Sequence, residues 1–162
     1  MESLEIFKGI PLFHDLTAPE LSKLAGVCQK MHARAGDEVF KAGSPGEALY
    51  VIREGQVAVV KEAGEEPEEV MAELGTGEIF GEMALFGKES RSATIRALKE
   101  THLFRIRRDY FEKLMEEDHE LALKIYRRIN MILTGRLRET TDRLATANRV
   151  IRAASEGRKE KE

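Results

Sequence analysis

Residues 77–94 read GEIFGEMALFGKESRSAT, a combination of residue types that ordinary strands and turns do not require. Gly81 has no side chain, so a ligand could approach the backbone closely there. Residues 82–85 can form a single helical turn whose amides point outward as an anion site. Arg91 supplies a planar fork of donors that matches two phosphate oxygens and stays charged at any working pH. The stretch therefore predicts a phosphate-binding loop.

Glu82 restricts the kind of phosphate that this loop would bind. A carboxylate repels a neighbouring phosphate unless it accepts hydrogen bonds from the ligand's own hydroxyl groups. A sugar phosphate meets this condition, with Glu82 on a ribose hydroxyl, Arg91 on the phosphate and Ser92 as a neutral donor. A second interpretation stays open, in which Glu82 and Arg91 form only a surface ion pair worth at most about 1 kcal/mol.

The length and composition of the chain exclude several classes of protein. Its 162 residues suit one domain plus an appendage, and 42% hydrophobic with 34% charged residues favour a folded protein. No stretch approaches the roughly 20 apolar residues of a membrane span, and the N-terminus lacks a secretory pattern, so a cytoplasmic location is expected. The net charge of −3 provides no general attraction to nucleic acid.

Hydrophobic periodicity divides the chain into four segments. Residues 1–28 have helical spacing. Residues 29–107 contain short runs rich in Val, Ile and Phe that are separated by glycines, which predicts many short antiparallel strands in a small barrel, jelly roll or sandwich. Residues 108–155 return to helical spacing, and residues 156–162 are expected to form a disordered tail.

Two local signals refine this division. Thr17 and Glu20 have the spacing of a capping box, in which a hydroxyl and a carboxylate satisfy free amides at the start of a helix. Gly55 separates two apolar runs, residues 48–52 and 56–60, and glycine allows the positive φ that a tight hairpin needs. We therefore predict a helix after Thr17 and a β-hairpin around Gly55.

The distal part of the chain predicts one long helix that associates with a second copy. From about Asp118 to Ser155 no proline interrupts the helical pattern, and such a helix would be roughly 55 Å long. Side chains suited to a coiled coil recur at intervals of seven residues. The predicted seam comprises Tyr126, Asn130, Leu133, Leu137, Thr140, Leu144, Ala147 and Ile151. The alternative, that this whole face packs within one subunit, stays open.

The segment from Phe80 to Leu85, followed by Arg91 to Thr94, resembles the phosphate-binding cassette of the cyclic-nucleotide-binding domain family. The resemblance extends from about Leu4 to Ala154 and implies a fold that is mainly β with flanking α-helices. It implies a double-stranded β-helix, that is, a jelly-roll-like β-roll of eight strands, with N-terminal helices. A hinge helix and a long C-terminal dimerisation helix that acts as a lid would follow the roll.

The resemblance also implies a ligand and a set of contact residues. It places Glu82 on the ribose 2′-hydroxyl and Arg91 on the cyclic phosphate of cAMP, with cGMP as the alternative because of the Ser92 hydroxyl. The residues implied in ligand binding are Phe80, Gly81, Glu82, Met83, Ala84, Leu85, Arg91, Ser92, Ala93 and Thr94. The expected purine contacts on the long helix are Ile129, Ile132 and Leu133. The implied function is a homodimeric receptor module that shifts its C-terminal helices on binding and signals to an unknown partner protein.

Other functions compete with this one. Too few residues follow Ser155 for a helix-turn-helix domain, so no direct DNA binding is expected. A degenerate member of the same fold would instead serve as a dimeric interaction scaffold without nucleotide. A metal-dependent enzyme of cupin type would need clustered histidines, whereas the four histidines are isolated in the sequence: His14, His32, His102 and His119. We therefore predict no catalysis, no metal and no cofactor beyond the nucleotide ligand.

Overall fold

The computed structural model describes residues 4–61, 67–87 and 90–159 of the chain. The chain divides into two units, Met1–Ile125 and Tyr126–Glu162. The first unit holds two β-sheets with short helices, and the second consists of the distal part of one long helix.

Short helical elements open the first unit: α1 (Glu5–Lys8), a 3₁₀ turn (Pro11–Phe13) and α2 (Ala18–Ala25). Helix α2 begins where the sequence predicts. The Glu20 amide donates to Thr17 Oγ1 at 3.5 Å, and the Thr17 amide donates to Glu20 Oε2 at 2.7 Å. The predicted capping box is therefore confirmed.

Eight strands form two antiparallel sheets within the described residues, which confirms the predicted β-roll. They are β1 (Cys28–Ala33), β2 (Glu38–Phe40), β3 (Ala48–Glu54), β4 (Gln56–Lys61), β5 (Glu69–Gly75), β6 (Ile79–Phe80), β7 (Thr94–Ala97) and β8 (Thr101–Arg107). One sheet has the order β1-β8-β3-β6, and the other has the order β2-β7-β4-β5. Buried side chains from both sheets, among them Ile52, Val57, Ile95 and Leu103, meet in one core cluster.

The chain turns at Gly55, but the predicted β-hairpin around this glycine is wrong. Strand β3 pairs with β6 and β8, whereas β4 pairs with β5 and β7, so the chain changes sheets at Gly55. Gly55 has a φ of +120°, and a Cβ there would lie 2.4 Å from Thr101 Oγ1. Thr101 Oγ1 accepts from the Gln56 amide at 3.2 Å across the same corner. The glycine is needed for a corner between two sheets.

Three further helices complete the elements: α3 (Met83–Phe86), α4 (Arg108–Glu117) and α5 (His119–Lys159). Asp118 lies between α4 and α5 and caps the long helix, because its Oδ1 accepts from the Leu121 amide at 3.0 Å. Its Oδ2 accepts from Lys23 Nζ at 2.5 Å. Lys23 lowers the pKa of Asp118, so this carboxylate stays ionised and ties α2 to the start of α5.

Helix α5 is longer than the sequence predicts. Its 41 residues correspond to a length of roughly 60 Å. The helix includes residues 156–159, which the sequence assigns to a disordered tail, because no helix-breaking residue other than Gly157 interrupts its last turns. Residues 160–162 of that predicted tail lie outside the described residues. Across the described ranges, none of the helices is both long and apolar enough for a membrane span.

We expect Gly55→Ala to lower the free energy of unfolding by about 2–5 kcal/mol. The positive φ costs about 1–2 kcal/mol for a residue with a side chain, and overlap with Thr101 adds about 1–3 kcal/mol. Gly36→Ala is the matched control, because Gly36 has a φ of +89° but open space where its Cβ would lie. Denaturant unfolding measures both variants, and equal losses would contradict the close approach of Thr101.

Candidate functional site

Gly81 forms a sharp turn between β6 and α3. It has a φ of +73°, a left-handed conformation that favours glycine. A Cβ at Gly81 would lie 2.8 Å from Arg91 Nη1 and 3.0 Å from the Ala48 carbonyl oxygen. The Arg91 side chain therefore occupies the space next to the Gly81 Cα that the sequence predicts to be open to a ligand. Gly81 allows the backbone to close around the guanidinium.

Arg91 is a buried cation that contacts this turn from a later part of the chain, and only 8% of its surface is exposed. Its Nη1 donates to the Gly81 carbonyl at 3.2 Å, and its Nη2 donates to the Ala48 carbonyl at 2.8 Å. The guanidinium carbon lies 4.0 Å from the centre of the Phe40 ring and 5.7 Å from that of Tyr50. Its Nε is buried without a hydrogen-bond partner. The side chain is held by neutral oxygens and aromatic faces.

Glu82 lies close enough to Arg91 for their charges to interact. Burial lowers the pKa of Arg91, while Tyr50 and the nearby Glu82 carboxylate act in the opposite direction. Glu82 is partly exposed and directly precedes α3. In the part of the chain that is described, Arg91 forms no ion pair with a carboxylate, and it is buried. A simple surface ion pair between Glu82 and Arg91 therefore does not explain the site.

The first turn of α3 differs from the open anion site that the sequence predicts. The Ala84 amide donates to the Gly81 carbonyl at 3.2 Å, and the Leu85 amide donates to the Glu82 carbonyl at 2.9 Å. These bonds span three residues and close the short turn on itself, as in a 3₁₀ helix. The two amides therefore already have acceptors within the turn.

Other predicted contact residues divide into surface and core positions. Ser92 is exposed, and its Oγ lies 3.9 Å from the sulfur of Met83, which is also exposed. Phe80 is buried and stacks on Tyr50 with ring centroids 5.1 Å apart. Thr94 is buried, and its Oγ1 accepts from the Ala42 amide at 3.0 Å. Ser92 and Met83 thus lie at the surface, whereas the Phe80 and Thr94 side chains lie in the interior. Ala93 is partly exposed.

Arg108 also belongs to the site, although the sequence does not predict it. Its Nε donates to the Ala84 carbonyl, and its Nη2 donates to the Gly46 carbonyl at 2.8 Å and the Gly87 carbonyl at 2.7 Å. Arg108 is the first residue of α4, so it links this helix to both ends of α3. In the sequence nothing distinguishes it from its neighbour Arg107, because its acceptors are backbone carbonyls distant in the chain.

The second unit carries all eight predicted seam residues on α5. Large apolar side chains are exposed at intervals of seven: Leu137 by 68%, Leu144 by 60% and Ile151 by 62%. Tyr126, Asn130, Thr140 and Ala147 are also exposed, and Leu133 is partly exposed. This helix therefore presents an apolar stripe with the spacing of a coiled coil. The assignment of Ile129, Ile132 and Leu133 as purine contacts stays a prediction.

The sequence suggests that the four histidines are isolated, but two of them are in contact in the structure. His32 on β1 and His102 on β8 are direct partners in the strand register, and their rings lie 4.9 Å apart. Seventy residues separate them in the chain, so spacing within the sequence contains no sign of this contact. Glu100 completes the cluster, with its Oε1 3.0 Å from His32 Nε2.

Comparison with known proteins identifies the family. The cyclic nucleotide-binding domain family matches residues 30–118, more than half of the chain. The chain therefore belongs to this family, and it is a cyclic-nucleotide-binding domain of the type found in regulatory proteins. This membership and the β-roll together confirm the resemblance drawn from the residues of the cassette.

Individual relatives support the same assignment. The chain is 35% identical to the cyclic AMP receptor protein of Thermus thermophilus, over 75% of this chain and 58% of that protein. It is also 35% identical to a Rhodopseudomonas palustris protein named as a potassium channel protein, over 78% of this chain but 29% of that protein. A solved cyclic nucleotide-binding domain from Methylobacillus flagellatus has a TM-score of 0.77 at 32% identity, over 86% of this chain and 79% of that one. The chain thus spans 58% of the length of the Thermus thermophilus protein and 29% of the length of the Rhodopseudomonas palustris protein.

We expect Arg108→Ala to loosen α3. The Gly87 amide, which donates to the Met83 carbonyl, should exchange its hydrogen faster, because three carbonyl contacts of Arg108 are lost. Charged hydrogen bonds are worth about 1.5–3 kcal/mol each, so the melting temperature should also fall. Arg107→Ala is the control, since Arg107 pairs with exposed Asp109. The same exchange rates in both variants would contradict the role of Arg108.

Proposed function

We propose that this domain is a receptor for cAMP, with cGMP as the alternative ligand. The name of the Thermus thermophilus relative supports cAMP, and the exposed hydroxyl of Ser92 keeps cGMP as an alternative. The nucleotide is bound and not converted. Its signal passes through the C-terminal helices to a partner protein.

The environment of Arg91 carries this proposal. A buried charge is unfavourable unless it is paired and hydrogen-bonded. Arg91 has neutral acceptors for Nη1 and Nη2, and its Nε has none. A phosphate supplies both an opposite charge and further acceptor oxygens, and a guanidinium binds two of them at once. An anion in reach of Arg91 therefore offsets the cost of its burial.

Glu82 selects the rest of the ligand in this proposal. Its carboxylate accepts from the ribose 2′-hydroxyl, so a nucleotide with that hydroxyl is preferred over free phosphate. Ser92 donates to the phosphate or the base. Because the amides of Ala84 and Leu85 already have acceptors in the turn, the guanidinium is assigned most of the phosphate affinity.

We expect Arg91→Lys to weaken cAMP binding by at least about tenfold. Lysine keeps the charge but loses the planar fork, and charged hydrogen bonds are worth about 1.5–3 kcal/mol. Arg96→Lys on β7 is the matched control, because Arg96 pairs with Glu68 and Glu38. Titration calorimetry with cAMP and cGMP gives the affinities and ranks the two ligands.

Glu82→Gln extends this test to the sugar. It should weaken binding of cAMP more than binding of its 2′-deoxy analogue, because the analogue lacks the hydroxyl that donates to the carboxylate in the proposal. Glu73→Gln, which alters a carboxylate bound to the Gln56 side chain, serves as its control.

Failure of both cAMP and cGMP to bind the unaltered chain would favour the degenerate scaffold. Chromatography of the nucleotide after incubation should recover it unchanged, and its consumption would contradict a receptor without catalysis.

Arg108 supports the proposed route of the signal. It joins the carbonyls of α3 to the start of α4, so a ligand that moves α3 also acts on α4. In the proposal, Ile129, Ile132 and Leu133 on α5 approach the purine as a lid. Bound nucleotide then favours the arrangement of the helices that provides these contacts, which is a shift between existing populations.

The apolar stripe of α5 supports a homodimer. Its exposed leucines at intervals of seven residues are typical of a seam that a second copy of the helix covers. The proposed seam runs along α5 from Tyr126 to Ile151. Direct DNA binding is not part of the proposed function.

We expect the double variant Leu137→Asp, Leu144→Asp to be monomeric in sedimentation velocity, because charges in the seam must lose water to be covered. The double variant Ala145→Asp, Thr146→Asp adds the same two charges outside the seam and should remain dimeric. If the seam variant also sediments as a dimer, the proposed interface is wrong.

A further inference from the structure

The cluster of His32, Glu100 and His102 lies on the sheet β1-β8-β3-β6 and takes no part in the Gly81 turn. His32 and His102 face each other across β1 and β8. Glu100 Oε1 lies 3.0 Å from His32 Nε2 and 3.9 Å from His102 Nε2. One ligand atom from each residue lies within 4.8 Å of those of the other two. Three groups that can bind a metal thus converge on one point.

We propose that His32, Glu100 and His102 bind one divalent transition metal ion of the zinc class. Imidazole nitrogens suit zinc, copper and nickel, whereas magnesium and calcium prefer sites built from oxygen ligands. Two histidines and one carboxylate provide three protein ligands. The remaining positions of the ion are left to water or to a group from outside the chain.

The strands hold these ligands in place. A pair of residues directly opposite each other in an antiparallel sheet has its Cβ atoms about 4.5–5.5 Å apart, so both imidazoles project from the same face. Thr101, between Glu100 and His102, is fully buried, and its Oγ1 donates to the Lys99 carbonyl at 2.8 Å. The backbone on either side of Glu100 is therefore fixed.

The surroundings of the cluster favour a cation. Glu54 on β3 is the register partner of His102 on its other side, so a second carboxylate lies on the neighbouring strand. Glu100 lies within ion-pair distance of both histidines, so its carboxylate is placed to share a cation with both rings. A metal ion uses both imidazoles in their neutral form. The side chains of His32 and His102 are 43% and 42% exposed, which leaves the site open to an ion from solution.

Zinc titration of the metal-free, untagged chain tests the proposal. Calorimetry should give one Zn²⁺ per chain, and zinc should raise the melting temperature, because an ion that binds only the folded state stabilises it. His32→Asn with His102→Asn should weaken zinc binding at least about tenfold, since two of three ligands are lost. A hundredfold excess of Mg²⁺ should not compete.

The matched control is His14→Asn with His119→Asn, which removes the same number of histidines elsewhere and should bind zinc as the unaltered chain does. Glu100→Gln, which keeps the size of the side chain, should weaken binding by itself. Circular dichroism and an unchanged melting temperature in the absence of zinc show that the variants remain folded. Equal zinc affinity in the two double variants, or no zinc bound to the unaltered chain, would overturn the proposal. Either result is independent of the nucleotide site.

Discussion

The burial of the Arg91 guanidinium is the constraint on which this structure depends. A cation inside a small β-roll must find acceptors, and here the acceptors are backbone carbonyls from β3 and from the turn after β6. Gly81 allows that turn to come close enough, and the rings of Phe40 and Tyr50 provide a favourable surface for the positive charge. These contacts join segments that are far apart in the chain.

The same constraint explains why the cassette suits an anion. Neutral carbonyls satisfy part of the guanidinium but do not neutralise it, and Nε has no acceptor at all. Glu82 contributes a charge nearby, which favours the ionised form of Arg91. A second arginine, Arg108, then holds α3 against the start of α4. The proposed ligand site and the first of the C-terminal helices are therefore mechanically connected.

The rest of the surface contains features that this constraint does not require. On α5, apolar residues recur at intervals of seven and are exposed, which is consistent with a proposed interface between copies. On the sheet β1-β8-β3-β6, two histidines and a glutamate form a cluster that the proposed receptor function does not use. The proposed nucleotide site and the proposed metal site use different residues, so the two sites can be tested separately.

The sequence by itself determined the features that depend on neighbours in the chain. Thr17 and Glu20 form their capping box within four residues, the change from helical to extended spacing marks the β-roll, and Glu82 and Arg91 identify the cassette. Only the tertiary structure decided the features that depend on strand register. Gly55 and its flanking runs look like a hairpin because local spacing does not show which sheet a strand joins. The pairing of His32 with His102 has the same origin, since register brings together residues that no local pattern connects. The carbonyl contacts of Arg108 depend instead on the packing of α4 against α3 and against the loop at Gly46.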